Sequence, residues 1–259
     1  MPLTQEESER YARHLSLPEL GEEGQEKLNR AHIALTGLGG LGSPAALYLA
    51  AAGVGRLTLI DPDSVSLSNL QRQILHATDA AGTAKTASAA KRLHALNPSV
   101  EIVTIRERLA PENALSLLEG CDLAVDASDN YAARFAMADA ACALRIPLVH
   151  GAVKGFIGQA AVFAPHEGTA CYRCLFPENT PMQEEDTASA AGIMGAHAGI
   201  IGCLQALEAL KYIAGIPSPL RGAMLSADTL RMRFTTVPLT PNPACKCREK
   251  QGEGAAMKN

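Results

Sequence analysis

The chain has 259 residues, of which 47% are hydrophobic, so it can bury a large core as one α/β domain with additions. Its formal net charge of −4 and the absence of a Lys/Arg block argue against a surface built for nucleic acid or for an anionic membrane. No apolar run is long enough to span a bilayer, and residues 1–30 are too charged for a signal peptide. We therefore expect a cytoplasmic protein that uses neither nucleic acid nor a membrane as a partner.

Residues 5–30 form the first predicted element, a helical arm that is broken at Leu17-Pro18 and again near Gly21. The arm precedes the first predicted strand and lies outside the alternating pattern that follows. It carries Arg13 on a face that periodicity alone would assign to solvent. Such an arm is free to pack on a neighbouring subunit.

A glycine loop follows the first predicted strand. The apolar run from Ile33 to Thr36 predicts a strand buried in a parallel sheet. Gly37, Gly39 and Gly42 come directly after it and fit the pattern GxGxxG. Glycines at this spacing let the chain turn tightly and let a nucleotide phosphate approach the backbone at a helix N-terminus.

The helix and strand after this loop complete a nucleotide-binding βαβ unit. We expect Ser43 to cap a helix over Ala45 to Ala52, with Pro44 in its first turn. Arg56 to Ile60 predicts a second buried strand, and Asp61 stands at its C-terminal end. A carboxylate at that place can accept both hydroxyls of a ribose.

Helices and strands alternate after Asp61, which predicts a doubly wound, mainly parallel, Rossmann-like sheet with ligands at the C-terminal strand ends. From Gly158 onward the pattern changes to an added antiparallel portion. The predicted elements are helix Gly82–Leu96, strand Val100–Ile105, helix Pro111–Leu118, strand Asp122–Asp126, helix Tyr131–Leu144, strands Pro147–Ala152 and Gln159–Ala164, a mobile loop Pro177–Ala190, helix Gly192–Ile213, a hairpin about Asp228 and a disordered tail 251–259.

Charged residues follow the strands at the edge where the glycine loop lies. Arg72 comes from the polar segment after Asp61, Lys85 from the next helix, and Asp129 from a later strand end. Two cations and a carboxylate around a glycine loop suit a triphosphate and its Mg²⁺, whereas a nicotinamide site needs an apolar pocket for the ring. Lys85 alone would be interpreted as a surface ion pair, and the glycine loop alone as a dehydrogenase site.

Four of the seven cysteines fall in two close pairs, Cys171 with Cys174 and Cys245 with Cys247. In a reducing compartment such pairs indicate a metal site more than disulfides. Four thiolates would make a tetrahedral zinc site, although the one-residue spacer at Lys246 gives an atypical bite. The alternative is a set of free thiols on a surface turn.

Several of these motifs together resemble the ThiF/MoeB/HesA family, the bacterial relatives of ubiquitin-activating enzymes. The likeness covers roughly residues 5–248. It is carried by GLGGLG, the string D-x-D-x-V-x-x-S-N-L-x-R-Q from Asp61 to Gln73, Lys85, Asp129-Asn130, CYRC at Cys171–Cys174, and LQALEALK at Leu204–Lys211.

The resemblance implies an ATP-dependent adenylyltransferase that activates the C-terminal Gly-Gly carboxylate of a small ubiquitin-like sulfur carrier and releases pyrophosphate. Thiamine and molybdopterin synthesis are the usual destinations. It also implies a homodimer and one adenylation domain over residues 1–250, made of the arm 5–30, a nucleotide-binding core 31–153, and a carrier-docking and zinc-binding portion 154–248. A non-catalytic scaffold of the same fold is the alternative, and the sequence does not identify the carrier.

The family's site residues carry over position by position. The resemblance gives catalytic roles to Arg13, which acts in the partner subunit's site, and to Arg72, Lys85 and the Mg²⁺ ligand Asp129. It places ATP contacts at Gly37, Gly39, Gly40, Gly42, Asp61, Ser68, Asn69, Leu70, Gln71, Arg72, Gln73, Lys85, Asp129 and Asn130.

One departure from the family concerns the mobile loop. Related enzymes often carry a cysteine where this chain has Ala188, and no cysteine stands from Leu175 to Gly202. A covalent enzyme–cysteine intermediate at that place is therefore excluded. We expect an external sulfur donor to receive the acyl-adenylate.

Overall fold

The computed structural model describes residues 3–177, 192–245 and 247. Most of the predicted loop Pro177–Ala190, the Ala188 position and the tail 251–259 lie outside these residues. The helices are α1 Gln5–Arg10, α2 Ala12–Leu15, α3 Gly21–Arg30, α4 Gly42–Ala51, α5 Lys85–Leu96, α6 Ala114–Leu118, α7 Tyr131–Leu144, α8 Tyr172–Leu175 and α9 Gly195–Ala214. The strands are β1 His32–Thr36, β2 Arg56–Ile60, β3 Glu101–Ile105, β4 Leu123–Asp126, β5 Leu148–Lys154, β6 Ile157–Phe163, β7 Ala223–Asp228 and β8 Arg233–Pro238.

The strands form one sheet in the order β3-β2-β1-β4-β5-β6-β7-β8. The first five in this order pair in parallel, and β5 through β8 pair antiparallel. The predicted fold class is therefore confirmed, including the change of orientation near Gly158. The strand order reverses between β1 and β4, and in a doubly wound sheet this is the point where a crevice opens at the carboxyl ends of the strands.

The central strands are buried on both faces because helices cover both sides of the sheet. Ile33, Leu35 and Leu57 contribute to one large apolar cluster, and Ala34 and Ile60 belong to a second. Alternate residues of one strand therefore lie on opposite faces of the sheet, as the two-residue repeat of a β-strand requires. Strand β8 differs, because all six of its residues are exposed.

Several predicted helix ends were wrong, for local reasons. Helix α4 begins at Gly42, so Ser43 lies inside the first turn; its hydroxyl makes no capping bond and is buried without a partner in the described residues. Helix α5 begins at Lys85 and not at Gly82, because Gly82 has a φ of +86° and Ala84 bridges to Ser64. A helix cannot continue through either conformation.

The predicted arm is helical and has one further break, at Tyr11. The predicted hairpin about Asp228 is confirmed by the pairing of β7 with β8. Within the ranges given above, none of the helices combines the length and the apolar character that crossing a membrane requires.

Candidate active site

A cavity of about 380 Å³ opens at the carboxyl ends of the parallel strands, above the glycine loop. Both predicted phosphate-binding cations line it, together with the predicted ribose-binding carboxylate. The predicted site residues that line it are Gly37, Gly39, Gly40, Asp61, Gln71, Arg72, Gln73, Lys85, Asp129 and Asn130.

Five predicted residues do not line the cavity. Gly42 lies one layer below it, in the first turn of α4, and Arg13 lies on the arm. Ser68, Asn69 and Leu70 form a short turn beneath Arg72, in which the Asn69 carbonyl accepts the amides of Arg72 (3.1 Å) and Gln73 (3.0 Å). This turn holds the segment from which Arg72 reaches the cavity.

Two of the glycines are required by packing. Gly37 has a φ of +89°. A Cβ there would lie 2.6 Å from the carbonyl oxygen of Ala127, in the turn that follows β4. A Cβ on Gly42 would lie 1.8 Å from the Gly37 oxygen. Gly39 is different, because its Cβ would meet only Gln73 Nε2, at 3.7 Å. The space beside Gly39 therefore belongs to the cavity, which is where a phosphate would need it.

The carboxylate of Asp61 is held by backbone on both oxygens. Its Oδ2 accepts the Leu38 amide at 2.7 Å and its Oδ1 accepts the Asp63 amide at 2.9 Å. Burial raises the pKa of Asp61, while the ammonium of Lys85 and the two amides act in the opposite direction. Each oxygen keeps a second lone pair, so the carboxylate can still accept ribose hydroxyls.

Lys85 is only 5% exposed, so the alternative of a surface ion pair does not describe it. Its Nζ lies 2.9 Å from Asp63 Oδ2 and 3.9 Å from Asp61 Oδ1. A lysine as the first residue of α5 stands against the positive end of the helix dipole. This unfavourable placement fits a cation whose purpose is to meet phosphate.

A buried polar cluster supports the turn that carries Asp129. Asp126 accepts the amide and hydroxyl of Ser128, at 3.0 and 2.6 Å, and lies 2.8 Å from His150 Nδ1. Burial opposes the ionisation of Asp126, yet the His150 ring, the Arg134 guanidinium and the Ser128 hydroxyl hold its pKa below the ordinary value. An ionised Asp126 can only accept, so Nδ1 of His150 carries the hydrogen. Asp129 itself is exposed at the cavity wall.

Three residues near the cavity were missed at the sequence level. Asp63 is the second aspartate of the D-x-D string and pairs with Lys85. Arg134 is the one charged residue in the first two turns of α7, a signal that the sequence offered. His76 contacts the glycine loop from a segment with no periodicity, so no sequence pattern indicated it.

The four paired cysteines come together away from the cavity. Their sulfur atoms all lie within 4.8 Å of one another, with neighbouring separations of 3.5 to 3.9 Å. Tetrahedral zinc with Zn–S bonds of about 2.3 Å requires sulfur atoms about 3.8 Å apart. The one-residue spacer thus allows the cluster to close, and the cluster could hold a zinc ion. Burial raises the pKa of Cys171 to about 12, so this sulfur would be held as a thiolate only with a cation beside it.

The arm packs at the opposite end of the strands from the cavity. The Tyr11 ring is buried against Gly53, in the turn that precedes β2, and its hydroxyl accepts Asn97 Nδ2 at 2.9 Å. Gln25 donates to the Ala52 carbonyl at 2.8 Å. Arg13 is exposed and lies two residues after Tyr11, near the amino end of β2, whereas the cavity lies at the carboxyl ends of the strands.

Comparison with known proteins agrees with this geometry. A crystal structure of E. coli MccB has the same fold, with a TM-score of 0.81 at 20% identity over 93% of this chain and 74% of that one. A sulfur carrier protein adenylyltransferase of Thermus thermophilus is 45% identical over 251 residues, which are 95% of this chain and 92% of that protein.

The adenylyltransferase and sulfurtransferase MOCS3-1 of Zea mays is 46% identical over 237 residues, which cover 91% of this chain. The match covers 50% of the maize protein, so the chain spans about half the length of that relative. Residues 11–248 match the ThiF family. The chain therefore belongs to the ThiF family.

Proposed function

We propose that this chain uses ATP and Mg²⁺ to adenylate the C-terminal Gly-Gly carboxylate of a small ubiquitin-like sulfur-carrier protein, of the kind used in thiamine or molybdopterin synthesis. The observation that carries this proposal is the convergence of Asp61, Arg72 and Lys85 on one cavity floored by a glycine loop. The printed function of the Thermus thermophilus relative, a sulfur carrier protein adenylyltransferase, supports it.

The reaction joins two anions, and the cavity supplies the cations that this requires. A carboxylate oxygen of the carrier attacks the α-phosphorus of ATP, and an O–P bond forms. The bond from the α-phosphorus to the bridging oxygen breaks, and pyrophosphate leaves with the electron pair. Arg72 and Lys85 offset the charge that builds on the phosphates. No general base is needed, because the carboxylate is already ionised near neutral pH.

Asp129 is the residue that would hold Mg²⁺. Asp129 is exposed and lines the same cavity as Arg72 and Lys85. Mg²⁺ is typically bound by one or two carboxylates together with substrate phosphates and water, and Asp129 would supply one such carboxylate. The bound ion supplies charge neutralisation of the triphosphate.

The carrier would dock on the antiparallel end of the sheet. Strand β8 is the last strand in the sheet order, and the turns beside it expose apolar side chains. We call these residues the hairpin patch: Phe156, Ile157, Leu230 and Met232, each between 37% and 68% exposed. An exposed apolar patch beside an edge strand is suited to a protein partner.

A homodimer would complete the site. Because Arg13 lies near the amino ends of the strands and its own cavity lies at their carboxyl ends, we expect its contact with ATP to be made in the cavity of another subunit. In a two-fold dimer the exchange is reciprocal, so each site gains one arginine.

The acyl-adenylate would pass to an external sulfur donor. The sequence has no cysteine from Leu175 to Gly202, and the next cysteine, Cys203, lies in α9, where burial raises its thiol pKa. A thiol of raised pKa is a weak nucleophile near neutral pH. A non-catalytic scaffold would not need Arg72, Lys85 and Asp129 together, which disfavours that alternative.

The test is ATP–pyrophosphate exchange with each Gly-Gly-terminated ubiquitin-like protein from the same genome. Exchange should require one such carrier and should vanish when its last glycine is deleted. Asp129→Asn should slow exchange by about 100-fold, the scale of a lost metal-phosphate contact. Asp79→Asn, an exposed acid away from the cavity, is the matched control. Exchange without any carrier would contradict the proposal.

A further inference from the structure

The turn that carries Asp129 is held on both sides of that residue. Before it, Asp126 Oδ1 accepts the amide of Ser128 at 3.0 Å and the hydroxyl of Ser128 at 2.6 Å. After it, the Asn130 side chain accepts the amide of Ala133 at 2.9 Å and thereby caps α7. Among the described residues, no group makes a hydrogen bond or an ion pair with the Asp129 carboxylate itself. The direction in which Asp129 points is therefore set by the backbone of this turn.

His150 holds Asp126 from the neighbouring strand. It is the residue of β5 that lies directly beside Asp126 in the parallel pairing of β4 with β5. Their side chains share one face of the sheet, and Nδ1 of His150 lies 2.8 Å from Oδ2 of Asp126. The ring of Tyr172 contacts the imidazole, with 5.1 Å between the two ring centres. The imidazole is thus held in place, and its bond to Oδ2 fixes the plane in which Oδ1 meets Ser128.

The pair is better explained by the shape of the turn than by the stability of the core. His150 is 2% exposed and Asp126 is fully buried. Buried ionic pairs contribute little net stability because desolvation offsets their attraction, and well-packed apolar residues commonly replace them without loss. Burial opposes the ionisation of Asp126, yet the His150 ring and the Ser128 hydroxyl hold its pKa below the ordinary value. An ionised carboxylate only accepts hydrogen bonds, so one oxygen can hold both donors of Ser128.

We infer that His150 is a positioning residue for the proposed adenylation: through Asp126 it holds the turn in the shape that presents Asp129 to Mg²⁺. This inference rests on the proposed function and deepens it, because it names a residue that acts on the metal ligand from a neighbouring strand. A loosened turn would let Asp129 adopt several orientations, and the ion would be held less tightly. Arg72 and Lys85 come from other elements, so the nucleotide itself would still bind.

The first test measures ATP–pyrophosphate exchange against Mg²⁺ concentration. His150→Leu removes the donor to Asp126, whereas His150→Asn retains an NH group that can replace Nδ1. The Mg²⁺ concentration for half-maximal exchange should rise at least about tenfold in His150→Leu and less than about threefold in His150→Asn. Binding of ATP without Mg²⁺ should stay within about twofold in both variants. His94→Asn, at an exposed histidine of α5, is the matched control and should behave as wild type.

A second variant approaches the same contact from the turn, in case His150→Leu does not fold. Ser128→Ala removes the hydroxyl that lies 2.6 Å from Asp126 Oδ1 and leaves the pair of Asp126 with His150 intact. It should raise the Mg²⁺ requirement in the same direction, by at least about threefold.

Hydrogen–deuterium exchange of the whole protein without nucleotide observes the turn directly. Amide exchange over residues 127–130 should be at least about tenfold faster in His150→Leu than in wild type, and close to wild type in His150→Asn. Helix α4 is the internal reference, since a general loss of stability would accelerate its exchange by the same factor. Equal acceleration in α4 and in the turn would show a merely structural role and would overturn the inference.

The kinetic outcomes separate this inference from the proposed function. An unchanged Mg²⁺ requirement in His150→Leu and Ser128→Ala, or equal losses in His150→Leu and His150→Asn, overturns the inference even when carrier-dependent exchange is intact. The absence of exchange with every carrier would instead overturn the proposed function, and amide exchange would still decide whether His150 holds the turn.

Discussion

His76 Nε2 lies 3.1 Å from the carbonyl oxygen of Leu38, in the middle of the glycine loop. The amide of the same Leu38 donates to Asp61 Oδ2 at 2.7 Å. The Leu38 residue is thus held from both sides, by the Asp61 carboxylate and by the His76 imidazole. His76 Nδ1 in turn lies 3.0 Å from Ser88 Oγ, one turn after Lys85 in α5, so this contact ties the glycine loop to the helix that begins at Lys85.

Replacing His76 should weaken ATP binding without preventing carrier binding. His76→Leu leaves the buried Leu38 carbonyl without a donor, at a cost of about 1–3 kcal/mol. The KM for ATP should rise about tenfold, while the KM for the carrier should stay within about twofold. His76→Gln places an amide NH near the position of Nε2 and should recover most of the loss. Equal defects in the two variants would show that His76 fills space and does not position the loop.

The pH dependence of the free energy of unfolding should depend on His76. Burial lowers the pKa of His76 from the ordinary value of 6.5, although the Leu38 carbonyl acts in the opposite direction. Below pH 6.5 the unfolded chain therefore binds a proton that the folded chain does not, so this residue makes stability fall as the pH falls toward the lowered pKa. Denaturant unfolding of wild type and His76→Gln from pH 7.5 to 5 should show a smaller acid loss in the variant. Parallel curves would contradict this assignment.

Gly39→Ala should separate nucleotide binding from folding. The new methyl group would meet only Gln73 Nε2, at 3.7 Å, so the free energy of unfolding should change by less than about 1 kcal/mol. The same methyl group occupies the space that a phosphate needs, and the KM for ATP should rise at least about tenfold. Gly199→Ala, in open space on α9, is the control and should leave the KM for ATP unchanged. A stable Gly39→Ala variant with normal ATP kinetics would place the phosphates elsewhere.

The four cysteines should bind one zinc per chain. Elemental analysis of protein purified without chelator should show it, and Cys174→Ser should lose the metal. Because the ion ties α8 to residues near Cys245, its loss should lower the free energy of unfolding by about 3 kcal/mol or more, a fall in Tm of about 10 °C. Cys203→Ser, outside the cluster, should keep the metal and the Tm. Protein that contains no zinc when isolated would contradict this prediction, and the four cysteines would then be free thiols.

Mixing inactive subunits should restore activity when Arg13 acts across the dimer. Arg13→Ala and Asp129→Ala each damage every site of their own homodimers. In a mixed dimer one site carries both defects, and the other combines an intact Asp129 with an intact Arg13 from the partner. Random re-equilibration should therefore recover roughly a quarter of wild-type exchange. No recovery would mean that Arg13 acts within its own chain or not at all.

The sequence by itself determined the features that depend on local spacing. The strand Arg56–Ile60 and the helix Tyr131–Leu144 were predicted at their observed bounds, since residue periodicity follows directly from strand and helix geometry. The glycine loop and the Asp61 carboxylate were also recognisable from the sequence. Binding of a phosphate and of a ribose each needs a particular residue type at a fixed place within one βαβ unit.

Only the tertiary structure decided which distant residues meet. His76 and Leu38 are 38 positions apart, and Asp126 and His150 are 24 positions apart. The start of α5 at Lys85 was set by a bridge between Ala84 and Ser64, a contact that no local pattern contains. Whether a buried cation has a carboxylate beside it depends on packing between elements, and hydrophobic periodicity describes only which face of one element is buried.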